Sequence, residues 1–77
     1  MTFATRVYVA RQQAGLSQQQ LAKLLGVSAR SVNNWEKGGP ARPPSTGHLI
    51  DLAIKTGVSI DWLVTGRDQV DGLDYAA

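Results

Sequence analysis

Seventy-seven residues with eight basic and six acidic side chains give room for one domain, with a formal net charge of +2. The absence of cysteine and the single histidine, His48, exclude a disulfide framework, a cysteine-based zinc site and a histidine cluster. No apolar run approaches the roughly 20 residues of a membrane span, and the N-terminus lacks a signal-peptide pattern, so a soluble cytoplasmic protein with no membrane partner is expected.

The charge is unevenly spread. Residues 1–56 carry seven basic side chains against two acidic ones, and residues 57–77 carry one against four. A basic body with an acidic tail suits a chain whose front part meets phosphates.

The first helix is expected over about Phe3 to Ala14. Phe3, Val7, Ala10 and Ala14 recur at helical spacing and form one face. Tyr8 and Val9 widen that face or leave it, and Gly15 ends the helix.

The stretch LSQQQLAKLLGVSARSVNNWEK, Leu16 to Lys37, reads as two short helices joined by a tight turn. Ser17 is a good N-cap, and Gln20 stands three residues on, where it completes a capping box. Leu16 and Leu21 flank the cap as a hydrophobic staple. Leu21, Ala22, Leu24 and Leu25 are expected to be buried, and Gly26 supplies the left-handed residue that stops the helix. Gln18 stands at the helix N-terminus, where free amides and the positive dipole end favour a phosphate.

The grammar then repeats, with Val27 before the cap Ser28, Val32 inside the helix and Gly38 at its end. Val32 and Trp35 lie one turn apart and should face inward. Ala29, Arg30, Ser31, Asn33, Asn34 and Lys37 remain outside or at the edge. This set is small, polar and free of acid. Arg can grip guanine, Asn can grip adenine, and the Ala methyl can meet thymine. Glu36 neighbours Trp35 and so lies near the inward side. Such a two-helix unit is expected to place its second helix in the major groove of DNA.

GGPARPPSTG, residues 38–47, is a loop by composition. Arg42 in it could meet a phosphate backbone, enter a minor groove or stay solvated. A fourth helix over Ser45 to Thr56, ended by Gly57, is apolar around more than half its circumference through Leu49, Ile50, Leu52, Ala53 and Ile54. It is either central to the core or partly at an interface. His48 in its first turn reads as an ordinary exposed imidazole. The fifth helix opens on Val58 and the cap Ser59, contains Leu63 and closes at Gly66. Ile60, Trp62, Leu63 and Val64 crowd it, so some are expected to pair with a second copy. Residues 67–77 read as an acidic, flexible tail.

LSQQQLAKLLGVSARSVNNWEKG resembles the Cro/C1-type helix-turn-helix family, which includes the lambdoid phage repressors and Cro proteins. VSIDWLVTG is similar to the family's fifth helix, and the likeness covers about residues 3–66. The resemblance implies an all-α, compact five-helix bundle that binds a double-stranded DNA operator as a twofold homodimer. It implies base readout by Ala29, Arg30 and Asn34. Glutamines often stand at these positions in phage repressors, so Ala29 and Arg30 depart from that pattern and no operator sequence can be borrowed. Gln18 matches a glutamine that anchors on a phosphate, and Ser31, Asn33 and Lys37 match the edge of the groove. Ser17 and Ser28, as the caps of the two helices, join the set at the DNA backbone, and Arg42 matches the loop along it. Arg11 and Glu36 match a buried ion pair. Trp62 and Val64 are the expected dimer contacts.

The implied function is a sequence-specific transcriptional regulator, a repressor on family grounds, with no cofactor and no metal. Two alternatives use the same fold: an antitoxin or other interaction module with a protein partner such as a toxin, and the DNA-binding domain of a longer repressor. An enzyme is not expected. Asp51 and Asp61 look like solvated helix charges, and no Ser–His–Asp set, metal spacing or phosphate loop is present.

Overall fold

The computed structural model describes residues 1–38 and 43–67. The loop residues 39–42, including Arg42, and residues 68–77 of the acidic tail lie outside the described residues. Five helices follow in order: α1 Phe3–Gln13, α2 Gln18–Leu25, α3 Ala29–Lys37, α4 Thr46–Thr56 and α5 Ile60–Thr65. The described residues contain no strand.

Every helix starts on a hydroxyl cap. Thr2, Ser17, Ser28, Ser45 and Ser59 each accept a hydrogen bond from the backbone N–H three residues on. That bond satisfies one of the donors that a helix leaves free at its start. At α2 the capping box is complete: Ser17 Oγ accepts from Gln20 N at 3.0 Å, and Gln20 Oε1 accepts from Ser17 N at 2.8 Å. Gly26, at φ +70°, turns the chain out of α2, and the Val27 N–H returns to the Ala22 carbonyl at 3.0 Å. This closure lets α3 begin at once across α2.

α3 packs on both α1 and α2, α4 on α1, α2 and α5, and α5 on α1. Val7, Leu21, Val32, Leu52 and Leu63, from five different helices, are fully buried. Each contributes about 1.5–3 kcal/mol of burial. Trp35, Leu25, Ala22 and Ala53 complete the core, with Leu16, Val27 and Val58 packed at its edge.

Two expectations change, for Leu24 and His48, and one left open, for α4, is decided. Leu24 is 48% exposed, not buried with Leu21, Ala22 and Leu25. At 100° per residue it falls roughly 60° outside the arc those three define. In α4 only Leu52 and Ala53 are buried, while Ile50 and Ile54 are exposed and Leu49 is partly covered. His48 is half-buried rather than free, with its ring centroid 6.2 Å from that of Trp35.

A candidate nucleic-acid interface on α2 and α3

The placement of α3 rests on its inner side. Val32 and Trp35 are buried, so the helix can present only the opposite side to solvent. At roughly 100° per residue, that side carries Arg30, Asn33, Asn34 and Lys37. Arg30 and Lys37 are exposed, and Asn33 and Asn34 are half-buried. Ala29 and Ser31 lie at the flanks. Ala29 packs partly on the core, and Ser31 Oγ is 3.1 Å from Ser28 Oγ.

The cap hydroxyls of Ser17 and Ser28 accept backbone hydrogen bonds and are otherwise exposed. Gln18 is the first residue of α2, so its backbone N–H has no partner inside the helix. Its side chain turns toward α3, where Nε2 donates to Glu36 Oε1 at 3.1 Å and to Asn33 Oδ1 at 3.4 Å.

Glu36 is the hub of this contact. Its carboxylate accepts from Arg11 Nε at 2.6 Å and from Arg11 Nη2 at 3.1 Å, a forked pair. Both side chains are over nine-tenths buried. Arg11 Nη1 donates to the Leu16 carbonyl at 2.8 Å, which ties α1 to the entry of α2. The hydrogen bond to Glu36 pushes the Arg11 pKa above its usual value despite burial, so the guanidinium stays charged. One buried ion pair therefore joins α1, the start of α2 and the end of α3.

The pair also shapes the field. Glu36 is the only acid of α2 and α3, and Arg11 neutralises it. The exposed charges of the two helices are Lys23, Arg30 and Lys37. The described residues contain two further acids, Asp51 on α4 and Asp61 on α5, the latter paired with Arg67 at 3.2 Å. No group of three metal-ligating side chains occurs among the described residues, and no helix there is long and apolar enough to cross a membrane.

A family profile described as helix-turn-helix matches residues 7–63, which include α2 and α3 whole. The chain belongs to the Cro/C1-type helix-turn-helix family. Among proteins similar to this chain, the HTH-type transcriptional regulator ImmR of Bacillus subtilis is 34% identical over 91% of this chain and 53% of its own length. The regulator PrtR of Pseudomonas aeruginosa is 37% identical over 86% of this chain and 25% of its own length. An uncharacterized HTH-type transcriptional regulator of Haemophilus influenzae is 40% identical over 62% of this chain and 19% of its own length. The chain thus spans about half or less of these relatives. Among solved structures, the P22 c2 repressor in complex with a synthetic operator superposes with a TM-score of 0.78 at 25% identity, covering 87% of this chain and 98% of that one. The solution structure of the P22 c2 DNA-binding domain gives 0.73 at 25% identity, covering 82% and 80%. The fold of the described residues is common to this chain and both structures.

Trp62 and Val64 differ in setting. Val64 is 48% exposed, whereas Trp62 is half-buried against the chain's own core. On α4, which the sequence leaves open between core and interface, Ile54 is 67% exposed and Ile50 lies one turn before it.

Proposed function

We propose that this chain is a sequence-specific double-stranded DNA-binding transcriptional regulator that represses by occupying a near-palindromic operator as a dimer. The observation that carries this reading is the outer side of α3. It is exposed, basic, rich in amides and cleared of free acid, and a buried ion pair holds it on α1 and α2. The P22 c2 repressor, solved on a synthetic operator, supports the reading through its shared fold.

Arg30 and Asn34 have the donor patterns that grip guanine and adenine from the major groove. Ala29 offers a methyl beside them. Ser17, Ser28, Ser31, Asn33 and Lys37 surround this patch and supply backbone and groove-edge contacts, with Gln18 adding its free main-chain N–H at the start of α2 and Arg42 following α3 in sequence. Such phosphate contacts set register and supply sequence-independent affinity. Two copies joined through Val64, the exposed edge of Trp62 and the α4 isoleucines place their recognition helices one DNA turn apart, roughly 34 Å.

Selection of duplexes from a random pool tests this. Enrichment of a near-palindromic site with half-sites one turn apart supports the reading. An unenriched pool at low salt contradicts it.

A further inference from the structure

A carboxylate only accepts hydrogen bonds, and an amide has one accepting and one donating end. Glu36 Oε1 already faces Arg11 Nη2 at 3.1 Å and meets the Gln18 amide at the same distance. The amide must therefore turn its amino end to Glu36, because the reverse orientation would set two acceptors against each other. The second hydrogen of Gln18 Nε2 goes to Asn33 Oδ1. That contact fixes the Asn33 amide in turn, with its oxygen toward Gln18 and its amino group away.

Both hydrogens of Gln18 Nε2 are spent inside the protein. The free end of its side chain is an acceptor, and phosphate oxygens are acceptors too. Asn33 Nδ2, by contrast, has no partner among the described residues. Asn33 is half-buried, and no buried side-chain nitrogen or oxygen among the described residues lacks a partner, so Nδ2 meets solvent. It does so between Arg30 and Lys37, one turn away on either side.

We propose that Asn33, not Gln18, is the side-chain amide that donates to DNA on this face, and that Glu36 and Gln18 are positioning residues that hold its amino group outward. The inference rests on the DNA-binding reading and deepens it. The charge of a buried ion pair thus sets, through the Gln18 amide, the hydrogen-bond polarity of the reading surface at Asn33.

Two measurements test it. In the free protein, hydrogen exchange of the side-chain amides by NMR reads the relay without DNA. The Gln18 amide protons should exchange at least about tenfold more slowly than those of Asn33. Equal rates overturn the relay. On a duplex enriched from a random pool, Asn33→Ala should weaken binding about tenfold. Gln18→Met keeps the ion pair and much of the side-chain volume, and should weaken binding less. The double variant should bind no more weakly than Asn33→Ala alone, because Gln18 acts only through Asn33. Additive losses mean that the Gln18 side chain touches DNA itself and overturn the proposal, with the DNA reading intact. A protein that enriches no duplex overturns both.

Discussion

Arg6 of α1 grips the end of α5, its Nε donating to the Leu63 carbonyl at 2.9 Å. Its Nη2 donates to the Val64 carbonyl at 3.2 Å, and Nη1 donates to the Met1 carbonyl. Arg6 is only 8% exposed. A cation at a helix C-terminus satisfies carbonyls that the helix cannot, and complements the dipole. This clamp fixes α5 on the bundle.

Arg6→Leu leaves the α5 carbonyls without their donor. The expected cost is about 3 kcal/mol, from lost charged hydrogen bonds and unpaired acceptors. For a domain of this size that lowers Tm by more than about 10 °C. Thermal unfolding followed by circular dichroism measures it. A shift of a degree or two would mean that water replaces the guanidinium at no cost.

Gly66 tests the same clamp from the other side. Its φ is +84°, and an added Cβ would lie 3.0 Å from Arg6 Nη1. Gly57 has a similar φ of +79° with nothing within 4 Å of the added atom. Both alanine variants carry the left-handed strain of about 1 kcal/mol. Gly66→Ala should cost more than Gly57→Ala in urea unfolding, because Arg6 must also move. Equal costs would show that the guanidinium gives way freely.

Breaking the Arg11–Glu36 pair strands a buried charge. Glu36→Gln is expected to cost about 3 kcal/mol, at the lower end for a broken buried pair. The double variant Arg11→Met, Glu36→Leu should recover most of that loss, since no charge is left unpaired. Melting temperatures of the three proteins decide the matter. A single variant as stable as wild type would show that the pair is dispensable.

Lys37 lies on the exposed side of α3, beyond the patch proposed to read bases. Lys37→Ala should weaken binding to all duplexes alike and reduce the slope of log affinity against log salt by about 1. Titrations at several salt concentrations read the slope. A change confined to one base position would instead give Lys37 a reading role.

The sequence carries the caps and the motif plainly, because hydroxyls, glycines and apolar spacing act within a few residues of themselves. Ser17 with Gln20, and Gly26 with Val27, are examples of such local grammar. The Arg11–Glu36 pair is legible only through the family likeness, since nothing local joins positions 25 residues apart. Arg6 was not legible at all. An arginine reads as solvated, and its partners Leu63 and Val64 are backbone carbonyls brought to it by the fold. Leu24 misleads, and Ile50 and Ile54 stay open between core and interface, for a related reason: composition shows that a helix is apolar, but packing decides which side is covered. The direction of the Gln18 and Asn33 amides is likewise set by the buried carboxylate of Glu36, a tertiary partner.

The most direct test of a DNA-reading α3 compares wild type with Arg30→Ala in selection from a random duplex pool. Wild type should enrich a near-palindrome, and the variant should lose definition at one position in each half-site, worth about 1–3 kcal/mol of discrimination. An identical motif from both proteins would remove Arg30 from base reading, and a pool unenriched by either at low salt would contradict DNA recognition by this face.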